Sequence, residues 1–391
     1  MTSREPLRVM IVFGTRPEAI KLAPVARALA ARAAETEPPA AVVRVVSTGQ
    51  HDELLDHATR AFALAPDADL DIMRPDQDLF DVGIGCLAGL REELARFAPD
   101  VVVVQGDTAT VFYTALSAFF RRVAVAHVEA GLRSHRKWAP FPEEVFRRLT
   151  DVVADVYLAP TPRARENLLR ENVPADAIHV TGNTVVDAVQ AIAASAGPPA
   201  SPVLRRALGR GGPLVLVTVH RRESFGAPIR EIFSAIAELA RAHPDATFVY
   251  PVHPNPNVRG PAHECLGGIP NVHLLEPLDY GDLVLALRAA TLVLTDSGGI
   301  QEEAPSFGVP VLVLREVTER PEGIEAGVAR LVGTHRETIV REAERLLRDP
   351  EARRAMSGRP NPYGDGRAGE RIADILLHRF RGWPRRTEDF A

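Results

Sequence analysis

The chain is short of lysine. Of its 46 basic residues only Lys21 and Lys137 are lysines, so a cation written as lysine stands out from an arginine background. Cysteine is as scarce: Cys86 and Cys265 lie far apart, form no CxxC redox or zinc pattern, and read as two reduced thiols filling core space. No apolar stretch reaches membrane-spanning length. The apolar run near the N-terminus stops at Gly14-Thr15-Arg16, too early for the core of a signal peptide. Excess positive charge is also missing, and a net charge of −5 argues against nucleic acid or an anionic membrane as the main partner. The histidines stand singly, with no H-x-x-x-H or Cys/His cluster, so no metal is expected. Short-period repeats and low-complexity tails are absent too. What remains is a cytoplasmic globular chain.

At 391 residues the chain is too long for one ordinary core, and two domains are expected. Short, continuous, Val-rich runs such as "VVVVQ" and "LVLVTV" alternate with helical patterns, as strands do when both faces of a parallel sheet are covered. Strands are expected near 8–13, 42–48, 101–105, 123–128, 155–159 and 177–180. A second set is expected near 214–219, 246–252, 271–275, 291–295, 310–314 and 328–332. The fold class is therefore α/β, with two doubly wound, Rossmann-like domains and the active site in a cleft between them. The first domain is expected over 1–193, a small-residue, Pro-rich hinge over 194–202 and the second domain over 203–365. A final helical segment, 366–391, could return to the first domain.

In such sheets chemistry sits at the carboxyl ends of the strands, and polar residues collect there. Arg16 follows the first strand, Gln50 the second, and Gly106-Asp107 follows "VVVVQ". Glu129 and Arg133 follow "VAVAHV", His220-Arg221 follows "LVLVTV", and His253 follows "FVYPV". Asp296-Ser297-Gly298-Gly299 follows "LVLT". The turn Gly14-Thr15-Arg16-Pro17-Glu18 opens a βαβ unit, yet it is no G-x-G-x-x-G dinucleotide turn and carries fixed cations, Arg16 and Lys21. In 295–310, Ser297 can cap a helix, and the two glycines admit a diphosphate to its N-terminus. Glu303 falls within reach of ribose hydroxyls, and Arg320 can pair phosphates bidentately. Asp107, Glu129 and Glu143 are interleaved with Arg16, Lys21, Arg133 and Arg147, as acid/base chemistry with tuned carboxylates requires. Glu143 and Arg147 also stand four apart, where a plain helical ion pair would form.

Taken together, "VFGTRPEAIK", "QGDTAT", "HVEAGLRS", "PEEVFRRLTD", "VTGNTVVDA", "VHRRESFG", "YPVHPNPNVR", "TDSGGIQEEAPSFGVP" and "NPYGDG" resemble the blocks of the non-hydrolysing UDP-N-acetylglucosamine 2-epimerases, in order and over nearly the whole chain. The resemblance implies a GT-B-like fold, usually a homodimer, that interconverts UDP-GlcNAc and UDP-ManNAc without a cofactor. It implies Asp107, Glu129, Glu143 and His220 as catalytic residues. Arg16, Lys21 and Arg147 would line the sugar and phosphate, Ser297, Gly298, Gly299, Glu303 and Arg320 would hold UDP, and the backbone near Leu283 the uracil. Gln50, Gln77, Arg221 and His253 resemble an activator site for a second UDP-GlcNAc.

The chain departs from the family pattern at Ser134-His135-Arg136-Lys137 and at Phe146, a region expected near the substrates. Alternatives are a hydrolysing relative, an epimerase of a modified UDP-sugar, a GT-B glycosyltransferase and a non-catalytic sensor.

Overall fold

The computed structural model describes residues 5–49, 59, 62, 64–74 and 77–391. It divides into two units, Met1–Ala188 with Gly364–Ala391, and Val189–Tyr363. The first unit is built on β1 (Leu7–Phe13), β2 (Ala41–Ser47), β3 (Ala68–Asp69), β4 (Val101–Gln105), β5 (Ala124–Val128), β6 (Val156–Ala159) and β7 (Ile178–Val180). These strands are parallel and ordered β3-β2-β1-β4-β5-β6-β7. The second unit is built on β8 (Leu214–Thr218), β9 (Thr247–Pro251), β10 (Val272–Leu275), β11 (Leu292–Thr295), β12 (Val311–Val313) and β13 (Ala329–Leu331). They run parallel in the order β10-β9-β8-β11-β12-β13.

Successive side chains of a strand point to opposite faces, and here both faces are apolar. Leu7, Val9, Ile11 and Phe13 of β1 enter one core while Met10 and Val12 enter another. Val215 and Val217 of β8 part from Leu214 and Leu216 in the same way. Each sheet therefore needs helices on both sides, which is why its strands read as unbroken valine runs. In each sheet the strand order reverses once, beside the first strand: between β1 and β4, and between β8 and β11. A ligand crevice opens at the carboxyl ends of strands at such a reversal.

The division between units falls at Ala188/Val189, within the helix Thr184–Ser195, and not in the expected hinge 194–202. The backbone amides of Ala200 and Ser201 donate to Asp282 at 2.8 and 2.7 Å, which fastens that Pro-rich stretch to the second unit. At the other end the helix Ala368–Arg381 packs on α1 (Arg16–Ala33). Gly369 permits the contact, since a Cβ there would lie 2.6 Å from the carbonyl oxygen of Pro24. The N-terminus of that helix is held by Asp187, which accepts from Gly369 N at 2.8 Å and Ala368 N at 3.2 Å. Phe390 N then donates to Val180 O at 2.7 Å, covering the edge of β7. Among the described residues, no helix is long and apolar enough to cross a membrane.

Candidate active site

In the first unit the turn after β1 is organised from within. Glu18 is buried, and its carboxylate accepts from Gly14 N at 2.6 Å and Thr15 N at 3.2 Å, closing the start of α1. Burial pushes its pKa up in spite of those bonds. Arg16, on the first turn of α1, makes no side-chain hydrogen bond among the described residues. Lys21 lies further along α1 and reaches Glu129, Nζ to Oε1, at 2.6 Å.

Glu129 follows β5 with φ +70°, a left-handed backbone that non-glycine residues rarely adopt. It is 8% exposed. Asn183 Nδ2 donates to the same Oε1 at 2.8 Å, and Gln105 at the end of β4 donates to Oε2. Two residues past Gln105, Asp107 accepts from Arg147 Nε at 3.0 Å and from its Nη2. Two carboxylates, each seated on a cation, thus stand at the ends of adjacent strands.

Arg147 does not pair with Glu143, four residues before it. It bonds Glu144 instead, Nη1 to Oε2 at 3.3 Å. Glu144 is 1% exposed, and it also receives the backbone amides of Ser134 (2.9 Å) and His135 (3.1 Å). Glu143 is half-buried, and its Oε2 is enclosed with no hydrogen-bond partner among the described residues. The departures from the family pattern are structurally accommodated. Glu144 holds 134–135, Lys137 lies 5.1 Å over the Trp138 ring, and Phe146 stacks on Phe112 at 5.3 Å. Arg133 is buried between Asp151 and Glu171, and is a structural cation.

In the second unit, Asp296 is fully buried and accepts the backbone amides of His220 (2.9 and 3.1 Å) and Arg221 (2.9 Å), shaping the turn after β8. Burial pulls the His220 pKa below its ordinary value, against the pull of Asp296. His220 stacks on His253, rings 5.7 Å apart. Ser297 stands at the N-cap of the helix Gly298–Glu303, yet its hydroxyl makes no capping bond. A Cβ at Gly298 would come within 3.4 Å of Arg221 Nη2 and 3.7 Å of the Arg320 guanidinium, so two cations flank this glycine backbone. Arg320 bonds Glu302 at 2.5 Å, and its carbonyl accepts from Tyr363 OH at 3.2 Å. Glu303 is buried and accepts from Tyr280 OH at 3.3 Å. Leu283 sits half-buried in the helix Tyr280–Ala289, against the core.

Two of the activator candidates lie beside other site candidates of the second unit. Arg221 adjoins Gly298, and His253 adjoins His220. Gln77 spends its amide locally, bonding Arg74 N at 2.8 Å and Ile72 O at 2.7 Å. Gln50 lies outside the described residues. Sequence reasoning passed over Gln105, Asn183 and Glu144, whose only signal was their presence inside the quoted blocks. Among the described residues, no three His, Cys, Asp or Glu side chains gather as a metal would need.

Comparison with known proteins bears on this geometry. The family model for UDP-N-acetylglucosamine 2-epimerase matches residues 33–377. UDP-N-acetylglucosamine 2-epimerase of Escherichia coli is 48% identical over 377 residues, covering 95% of this chain and 98% of that protein. The Neisseria meningitidis UDP-GlcNAc 2-epimerase, solved bound to UDP-GlcNAc, is 41% identical with a TM-score of 0.85 over 95% of this chain and 100% of that one. Staphylococcus aureus MnaA, solved with UDP, is 39% identical with a TM-score of 0.88 over 98% of this chain and 100% of that one.

Proposed function

The chain belongs to the UDP-N-acetylglucosamine 2-epimerase family, is an isomerase of GT-B-like fold, and on that premise we propose that it interconverts UDP-GlcNAc and UDP-ManNAc by eliminating UDP and adding it back. The C2 hydrogen of the sugar is not acidic, because C1 carries UDP and no carbonyl. A base removes that proton as the C1–oxygen bond breaks. The C–H electron pair becomes the C1–C2 double bond of a glycal, and UDP leaves with the electrons of the broken bond. Addition reverses both changes, with the proton delivered to the other face of C2. Two differently placed carboxylates serve the two faces, and cations stabilise the departing diphosphate.

The observation that carries this reading is the pairing of Lys21 with Glu129 and of Arg147 with Asp107 at the ends of β5 and β4. Glu143 is the third acid, with an oxygen that no protein donor occupies among the described residues. Arg16 is a half-buried cation left for an anion. Arg320, Ser297 and the backbone of Gly298 and Gly299 are assigned to the diphosphate, Glu303 to the ribose, Leu283 to the uracil, and His220 to assisting the leaving group. A homodimer in the cytoplasm, activated by a second UDP-GlcNAc through Gln50, Gln77, Arg221 and His253, belongs to the same proposal. Two free cysteines, one of them buried, fit a reducing compartment.

Product analysis with UDP-GlcNAc alone tests it. UDP-ManNAc at equilibrium with substrate is expected. Free ManNAc with stoichiometric UDP would replace the proposal by a hydrolysing enzyme, and turnover only after an acceptor is added would replace it by a glycosyltransferase.

A further inference from the structure

His127, on β5, is buried to 0% exposure, and both of its ring nitrogens are engaged. Nδ1 lies 2.6 Å from Asp151 Oδ1, and Nε2 lies 2.8 Å from the carbonyl oxygen of Gly106. Neither partner offers a hydrogen. A carbonyl has none, and Asp151 already accepts from Arg133 Nη2 and Gly131 N, as an ionised carboxylate does. A neutral imidazole carries one N–H and would set a nitrogen lone pair against an oxygen lone pair. Only the doubly protonated ring satisfies both contacts. The charges around it are paired, with the exposed Arg148 3.8 Å from Glu171 at the outer end. Asp151 Oδ2 receives Arg133 Nη2 at 2.6 Å and Gly131 N at 3.2 Å, and Arg133 reaches on to Glu171 at 2.7 Å. Two cations and two carboxylates so arranged meet the condition under which buried charge is tolerated.

The two ends of this bridge matter more than its middle. Gly106, at φ +86°, immediately precedes Asp107, and its carbonyl is pinned by His127. Gly131, at φ +85°, is two residues past Glu129, and its amide is pinned by Asp151. Both turns use left-handed backbone, and both carry a proposed catalytic carboxylate. We propose that His127, held as an imidazolium on Asp151, is a positioning residue that fixes the Asp107 turn relative to the Glu129 turn. The inference rests on the acid/base reading of those carboxylates, while its charge-state part does not.

The test has two independent arms. In 15N-histidine-labelled wild-type protein, one histidine is expected to carry a hydrogen on both ring nitrogens at the pH where the protein is active, one donated to a carboxylate and one to a carbonyl. If no histidine carries a hydrogen on both ring nitrogens there, the proposal is overturned, whatever the protein catalyses. The second arm separates the two hydrogen bonds. His127→Gln can still donate to Gly106 O, and His127→Asn can donate only toward Asp151. Asn is expected to lower kcat about a hundredfold with KM within about twofold, and Gln to retain most of kcat, because misplacement of reacting groups by about 1 Å carries that cost. Equal losses in both variants that track their melting temperatures would reduce His127 to a packing role and overturn the proposal. Failure of the wild-type chain to epimerise UDP-GlcNAc would sink the functional reading, yet leave the labelled-histidine result standing on its own.

Discussion

The carboxylate of Glu129 is held by Lys21, Asn183 and Gln105 on a backbone at φ +70°. Such a conformation costs about 1–3 kcal/mol and persists where the surroundings over-determine it, most often at functional sites. Replacing the acid by its amide keeps the shape and removes the proton chemistry. Asp107→Asn, Glu129→Gln and Glu143→Gln are each expected to cut turnover by at least about a hundredfold while UDP still binds, measured by initial rates beside UDP titration. Near-normal rates in all three would withdraw the acid/base assignment.

Lys21 was visible from composition alone, as one of two lysines in an arginine-rich chain. The structure supplies a reason: its compact ammonium, 13% exposed, meets Glu129 Oε1 in company with Asn183. A planar guanidinium is larger and does not substitute there, so Lys21→Arg should lower kcat at least about tenfold despite keeping the charge. A fully active Lys21→Arg would mean that charge alone matters. Other residues were invisible for physical reasons. Glu143 and Arg147 have ideal i,i+4 spacing, but the three donors converging on buried Glu144 come from Arg147 and a distant loop. His127 read as an ordinary strand residue, since nothing local announces that both its nitrogens face oxygen.

At the scale of elements, strands were the most legible feature. A strand buried on both faces can tolerate little but apolar residues, so β4 and β8 announce themselves. The two-residue β3 left no pattern to read. The 194–202 stretch looked like a hinge because small and proline residues cannot reveal that Asp282, some 80 positions on, fastens Ala200 and Ser201. Nor could pattern alone say where the last helix docks, which depends on Gly369 meeting Pro24.

Asp187, which caps that last helix, has a testable signature. Burial raises its pKa to about 6 from 3.8, more than the amides of Gly369 and Ala368 lower it. The folded state therefore binds this proton more tightly than the unfolded chain. The contribution to stability is complete below about 4 and is lost as pH rises through about 6. Asp187→Asn cannot titrate, so it should gain on the wild type between pH 4.5 and pH 7.5, by on the order of 2 kcal/mol in urea unfolding. A pH-independent difference between the two proteins would show that the carboxyl is not buried as described.

At the scale of the molecule, the chain repeats one device. Both sheets are wholly parallel, and each reverses strand order beside its first strand, so each unit offers one crevice at its strand ends. The half-and-half rhythm of the sequence made this legible, because equivalent positions after successive valine runs carry the polar residues. The proposed division of labour is a proton-handling set in the first unit and a diphosphate-holding set in the second, and the two can be read out in one experiment. In D2O, without added nicotinamide or metal, UDP-ManNAc formed from UDP-GlcNAc should carry deuterium at C2, since carboxylates exchange their protons with solvent. An oxygen label placed in the bridge between sugar and phosphate should scramble into non-bridging positions, because the C1–oxygen bond breaks and a free phosphate can rotate before it returns. The two labels fail separately. Scrambling without deuterium would mean that UDP departs while the C2 hydrogen stays, and the carboxylates would lose their role. Deuterium without scrambling would mean proton exchange at C2 with the diphosphate bond intact or its phosphate held from turning, and departure of UDP would lose its support. Epimerised product that keeps both the original hydrogen and the bridge label would overturn elimination and re-addition.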